Sequence, residues 1–188
     1  MGSFDKQPKA ISQTDLKRLV FIGVDEAFAA LEESFNGLSD KQFWAYPLEN
    51  RYNIVTLVEH CLQCLDLYCC EVQGQPLTFK PELRFDIFHY LPSDLRQYTD
   101  NLPTVEEEKV RVTAVREAAM NSLQVLDPGE LLQSNHSSWW FQENPKKVRS
   151  DAFERAIFHT MTHVREIWFI RGRLGIDDTL GWPQQHWS

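Results

Sequence analysis

Residues 152–175, AFERAIFHTMTHVREIWFIRGRLG, decide the fold because they predict one long amphipathic helix that carries two histidines. Apolar residues recur at intervals of three and four, which is the period of a helix with one buried face. His159 and His163 lie four residues apart, so their side chains project about 40° apart around the helix axis. Both border the apolar stripe, and Gly175 is typical of the residue that follows a helix end. We predict a helix from about 150 to 174.

A second amphipathic segment, NIVTLVEHCLQCLDL at residues 53–67, carries a third histidine. Asn53 is a good helix N-cap and Gly74 is a typical terminator, so we predict a helix from about 53 to 73. On a helical wheel, His60 borders the apolar stripe of this helix. Two such stripe edges can face one another in a helical bundle.

Two further long helices complete an all-α prediction. One spans about 14–34, and the other spans about 104–126 and starts with the capping-box pattern of Thr104 and Glu107. Four long amphipathic helices without strand alternation predict a four-helix bundle with long inter-helix connections. These connections are 38–51, an irregular segment; 75–103, a candidate lid with one short helix near 93–100; and 127–150, which contains an aromatic-rich loop or short strand.

Length, composition and charge indicate one globular domain. We expect residues 1–13 to form a flexible leader and residues 14–188 to form a single helical-bundle domain. The net charge of −8 opposes a surface that tracks phosphates, so nucleic acid is not an expected partner. The chain has neither a membrane-spanning apolar run nor a signal-peptide core, which favours a cytoplasmic location without a membrane partner. We expect reduced thiols, because all four cysteines fall on one predicted helix: Cys61, Cys64, Cys69 and Cys70.

The three helix-borne histidines predict a metal site. His60, His159 and His163 would supply three imidazoles from two facing helices and leave a coordination position open, as in catalytic zinc sites. Imidazole nitrogen suits several divalent ions, of which zinc and nickel are the first candidates and iron and copper the alternatives. Thr160 occupies the position that holds glutamate in H-E-x-x-H, so a zincin protease is not expected.

Glu166 and Cys64 share helix faces with these histidines. Glu166 is the candidate catalytic residue, as a fourth ligand, a hydrogen-bond partner of a ligand, or a general base. Its alternative is a surface carboxylate beside Arg165 or Arg173. Cys64 could approach the metal, although a buried thiol that packs as a small hydrophobe is commoner. The other histidines fall in predicted connections or the tail and are not expected ligands: His89, His136 and His186.

More aromatic side chains lie on and before the last helix than one core stripe needs. Phe158 and Phe169 fall far from the stripe on the helical wheel, and residues 139–141 are Trp-Trp-Phe. Exposed aromatic residues are typical of subunit interfaces, and symmetric dimers are the commonest oligomers. We therefore expect a homodimer; a second buried face within the monomer is the alternative.

Three motifs resemble the DinB-like (DinB/YfiT) superfamily: NIVTLVEH at 53–60, HTMTH at 159–163, and RGRLG at 171–175. The resemblance covers roughly residues 14–175. It implies a four-helix bundle in which one histidine of the second helix and an H-x-x-x-H pair of the last long helix bind a divalent metal. The family often has His-Arg-Gly-Gln at the third ligand. This chain has His-Val-Arg-Glu, so Glu166 replaces a glutamine beside the site.

The resemblance also implies a range of functions. Relatives include thiol-dependent transferases and isomerases that use bacillithiol, mycothiol or glutathione, and others bind a metal without a known reaction. We expect a metal-dependent enzyme acting on a small molecule, as a thiol-dependent S-transferase or a hydrolase, with a low-molecular-weight thiol as a candidate cofactor. The alternative is a non-catalytic metal-binding stress-response protein. A closed shell of four protein ligands would favour the alternative, and an open position would favour the enzyme.

Overall fold

The computed structural model describes residues 10–47, 51–78 and 102–176, and no strand occurs within these ranges. Four long helices form the bundle, which confirms the all-α prediction. In chain order the helices are α1 Gln13–Phe35, α2 Asp40–Trp44, α3 Ile54–Cys69, the 3₁₀ helix η1 Glu71–Gln73, α4 Val105–Val125, the 3₁₀ helix η2 Pro128–Leu132, α5 Trp139–Glu143 and α6 Arg149–Arg173.

Polar side chains cap the starts of three long helices. Ser12, Asn53 and Thr104 each accept a hydrogen bond from the backbone N–H three residues further on, at 3.1, 3.1 and 3.2 Å. Glu107 accepts in return from the Thr104 N–H at 2.8 Å, so the predicted capping box is present. These caps satisfy N–H groups that have no partner within the helix.

The second long helix ends earlier than its sequence pattern predicts. It stops at Cys69, and η1 follows as a separate turn before Gly74, whose φ is +92°. The carbonyls of this turn accept hydrogen bonds from side chains elsewhere in the fold. Asn135 Nδ2 donates to Val72 O at 3.1 Å, and Arg149 Nη1 donates to Gln73 O at 3.0 Å. Both donors come from distant parts of the chain, which a local pattern does not reveal.

The described parts of the connections at 38–51 and 127–150 contain short helices and no strand. The segment 38–51 includes α2, and the segment 127–150 includes η2 and α5, so the short-strand alternative for the latter is wrong. Trp140 and Phe141 of α5 are buried in the core, which corrects their assignment to an exposed aromatic surplus. Residues 79–101 of the candidate lid at 75–103, which include its predicted short helix, lie outside the described residues, as do residues 1–9 of the leader at 1–13 and residues 177–188.

Helix α6 packs against both α1 and α3, and α4 packs against the same two helices. The apolar stripe of α6 is buried as predicted, including Ala156, Val164 and Ile167. Gly23 permits a close approach of α1, since a Cβ there would lie 2.9 Å from Ile157 Cδ1. None of the described helices has the length and apolar composition needed to cross a membrane.

A buried arginine ties the end of α6 to the end of α1. Arg171 Nη1 donates to Ser34 O at 3.1 Å and to Asn36 O at 3.0 Å, and its guanidinium lies 4.5 Å from the centroid of the Trp168 ring. The two carbonyls belong to the last turn and the C-cap of α1, where the helix supplies no N–H partner. Gly175, with φ +66°, ends α6 at its predicted position.

We predict that Arg171→Leu lowers the free energy of unfolding by about 2–3 kcal/mol, because it removes a charged donor and leaves carbonyl groups without a partner. Urea denaturation followed by circular dichroism measures this change. Arg173→Leu, an exposed position on the same helix, is the matched control and should change stability by less than about 0.5 kcal/mol. Equal stability of the two variants would show that the Arg171 hydrogen bonds do not stabilise the fold.

Candidate metal centre

The structure brings the three candidate ligands together. His60 projects from α3, and His159 and His163 project from successive turns of α6. One ring nitrogen of each lies within 4.8 Å of those of the other two. His60 Nε2 and His159 Nε2 are 2.8 Å apart, and the ring centroid of His163 lies 5.0 Å from that of His60.

These donors fit a divalent ion of the zinc type. Nitrogens that share one tetrahedral ion at about 2.0–2.1 Å lie roughly 3.3 Å from each other, which small side-chain rotations can reach from the observed cluster. His159 Nδ1 is buried without a hydrogen-bond partner among the described residues. No described group therefore competes for Nδ1. His159 can carry its proton there and present the lone pair of Nε2 to the cluster.

Burial keeps two of the imidazoles neutral. It lowers the pKa of His60 to about 3, with further lowering by the nearby His159 and His163. Burial likewise lowers the pKa of His159 to about 4, with further lowering by the nearby His163 and Arg155. A neutral imidazole has a free lone pair, so these side chains are ready ligands near pH 7.

Glu166 orients the third histidine. Its Oε2 lies 3.1 Å from His163 Nδ1, a distance at which the carboxylate accepts a hydrogen bond from the ring N–H. That bond directs the lone pair of Nε2 away from Glu166, as in the carboxylate–histidine pairs of metal sites. The hydrogen bond to His163 is also the main cause that lowers the pKa of Glu166, so the carboxylate is ionised. Of the earlier alternatives, this geometry favours a hydrogen-bond partner of a ligand.

The thiol of Cys64 lies beside the cluster. Its Sγ lies 3.8 Å from His159 Nε2. Burial raises its pKa to about 12, against a smaller opposing effect of Arg155, so the group is a neutral thiol at pH 7. All four cysteines are free thiols, as their spacing predicted.

A buried ion pair fixes the turn of α3 that carries His60. Arg111 Nη1 of α4 donates to Glu59 Oε1 at 2.6 Å, and Glu108 Oε2 lies 3.4 Å from the same nitrogen. Burial and the neighbouring Glu59 raise the pKa of Glu108 well above its usual range. Sequence reasoning missed this cluster. The sequence did contain a signal for its burial. The run Ile-Val-Thr-Leu-Val before Glu59 is almost entirely apolar, which is typical of a helix that is buried all round.

A cleft of about 610 Å³ adjoins the cluster at His159. Sequence reasoning did not predict it, because its walls come from α3, α5, α6 and the connection between α5 and α6. The lining combines aromatic side chains, Tyr68, Trp139, Trp140 and Phe158, with charged and polar ones, Glu143, Asn144, Lys147, Asp151, Glu154, Arg155 and Thr162.

Fold and cluster together define a helical-bundle protein with three converging histidines. The chain belongs to the DinB superfamily, whose family model matches residues 24–167. The match includes all three histidines and Glu166, so the resemblance read from the motifs is confirmed. No curated protein matches the chain.

We predict that the metal-free protein loses stability as the pH falls below about 6.5. His60 and His159 have folded-state pKa values of about 3 and about 4, whereas an unfolded histidine titrates near 6.5. Between these values the unfolded chain binds protons that the folded chain does not, so the free energy of unfolding decreases with falling pH. Urea midpoints at pH 7 and pH 5 measure this. A His60→Gln, His159→Gln variant should show a smaller pH dependence, and an unchanged one would contradict the assignment.

Proposed function

We propose that the protein is a metal-dependent enzyme that acts on a small molecule, with His60, His159 and His163 as the metal ligands. One observation carries the proposal: three imidazoles from two helices converge beside a cleft large enough for a small substrate. The site would use zinc or nickel, and iron or copper are the alternatives. Glu166 is the candidate catalytic residue.

A bound divalent ion would supply positive charge that stabilises a thiolate or a hydroxide near neutral pH. Burial holds His60 and His159 in the neutral, ligating form. Glu166 fixes the ring of His163 and, as an ionised carboxylate with one-third of its side chain exposed, is able to accept a proton from a bound thiol or water. These roles support a thiol-dependent S-transferase or a hydrolase, with a low-molecular-weight thiol as the candidate cofactor.

A non-catalytic metal-binding role in a stress response is the second candidate, and the position of Cys64 favours it. The Sγ of Cys64 lies 3.8 Å from His159 Nε2, close to the roughly 3.6 Å separation of sulfur and nitrogen ligands on one zinc ion. Ligation by this thiol would close the shell and join α3 to α6. If Cys64→Ala retains one metal ion per chain, and an added thiol can bind that ion, the result supports the enzyme over the non-catalytic role.

We predict that the His159→Ala, His163→Ala variant loses bound metal, because two of three ligands are removed. Metal analysis of purified protein by mass spectrometry measures the stoichiometry. Glu166→Gln is the matched comparison: it should retain the fold and one metal ion per chain while shifting the pH dependence of any activity found. Full metal retention in the double histidine variant would reject the ligand assignment, and complete loss in Glu166→Gln would make Glu166 a direct ligand.

We further propose a homodimer formed through α1 and α6. Large apolar side chains on these adjacent helices are exposed: Leu19 and Ile22 on α1, and Phe158, Met161 and Phe169 on α6. Exposure of this many large apolar groups on two neighbouring helices is typical of an interaction surface. Because a two-fold axis would place the same surface on both subunits, a second copy of the chain is a suitable partner.

We predict that Leu19→Glu converts the dimer to a monomer, since it places a charge in the proposed interface. Multi-angle light scattering at micromolar concentrations measures the mass. Val125→Glu is the control, because Val125 is more exposed and lies at the end of α4. A monomeric mass for the unmodified protein at high micromolar concentration would contradict the proposal.

Two further features support a cytoplasmic protein without a nucleic-acid partner. The net charge of −8 disfavours binding to a polyanion. The four free thiols suit a reducing compartment.

A further inference from the structure

We infer that the small molecule bound in the cleft beside His159 carries a carboxylate, and that Arg155 binds this group. The inference rests on the proposed function, because it describes the substrate or thiol cofactor of the same site. It depends on the juxtaposition of one oriented guanidinium, an aromatic wall and the histidine cluster within a single cleft.

The position and orientation of Arg155 suit the binding of a carboxylate. It precedes His159 by four residues on α6, so the two side chains lie side by side on one helix face. Its Nε donates to the Tyr68 hydroxyl at 2.9 Å, and Tyr68 is buried with its ring against Trp140. Among the described residues, the Nη1 and Nη2 atoms of Arg155 make no hydrogen bond. A guanidinium held at Nε retains these donors for a carboxylate.

The other charges of the cleft explain why only one position would bind an anion. Lys147 lies 3.3 Å from the carboxylate of Asp151, so this cation already has an anionic partner. Glu143 and Glu154 also line the cleft, and Glu154 additionally lines an adjoining groove between α1 and α6. Three carboxylates against two cations line the cleft, so most of its wall disfavours an anion. A carboxylate therefore gains most where Arg155 lies.

The helix geometry also limits the length of the ligand. His159 and Arg155 are one turn apart, a rise of about 6 Å. A ligand that reaches both would therefore be short, with only a few bonds between its metal-binding atom and its carboxylate. The aromatic wall formed by Trp139 and Trp140 would cover the intervening apolar part. A short mercaptocarboxylate has these features.

Isothermal titration calorimetry with 3-mercaptopropionate and its neutral isostere 3-mercaptopropanamide tests this. We expect the acid to bind the metal-loaded protein about tenfold more tightly than the amide at low ionic strength, because a charge-assisted hydrogen bond at a partly exposed site has this order of effect. Arg155→Gln should remove the preference. Arg155→Lys, which keeps the charge without the planar fork, should retain part of it.

Lys147→Gln is the matched control, because it removes one positive charge from the same cleft. It should leave the preference within about twofold, since Lys147 is already paired with Asp151. Equal binding of acid and amide to the unmodified protein would overturn the inference, as would a preference that survives in Arg155→Gln or disappears equally in Lys147→Gln.

The same titration on the metal-free protein separates this inference from the proposed function. A preference for the acid that depends on Arg155 but persists without metal, in a protein that does not retain a stoichiometric ion, would support the carboxylate site and reject the metal-dependent function. Stoichiometric metal without any preference for the acid would overturn the carboxylate site alone.

Discussion

The packing of α3 against α6 is the constraint on which the candidate site depends, because it forces three imidazoles into one partly buried volume. Burial and mutual repulsion both disfavour protonation there, and the low pKa values of His60 and His159 follow. The apolar stripe of α6 provides the free energy that holds this arrangement, since Ala156 and Ile167 are fully buried on either side of the histidine pair. The candidate site therefore follows from helix packing. The three histidines lie at the edges of two apolar stripes that pack against each other.

Helix α3 is also held by α4, where the partly buried Arg111 pairs with the buried Glu59. Taking these charges out of water costs free energy, and their close contact offsets that cost only while both partners remain in place. Glu59 immediately precedes His60, so the pair fixes the rotation of α3 about its axis. An ion pair requires a defined direction and distance between its partners, whereas an apolar contact tolerates rotation. The orientation of His60 toward α6 depends on the rotation of α3 that this pair sets.

The long helices and the meeting of the histidines could be predicted from sequence because both follow from periodicity. A residue at the edge of an apolar stripe must lie near the neighbouring helix, and the spacing of His159 and His163 fixes their shared face. The end of α3, the helix at Trp139–Glu143 and the cleft could not be predicted in this way. The end of α3 is followed by a turn whose carbonyls accept hydrogen bonds from Asn135 and Arg149, 63 and 76 residues away. The cleft combines residues from separate elements. The Glu59–Arg111 pair also joins residues that are distant in the sequence, although the apolar run before Glu59 signalled the burial of its carboxylate.

The position of Cys64 decides how the cluster can be used. Its Sγ lies 3.8 Å from His159 Nε2, and burial keeps the thiol protonated despite the nearby Arg155. Without an ion, formation of the Cys64 thiolate would have to overcome this burial, whereas the charge of a bound ion would favour the thiolate. The same burial therefore acts in opposite ways on the two kinds of side chain. It keeps His60 and His159 in the neutral form that binds a metal, and it keeps Cys64 in the neutral form that does not.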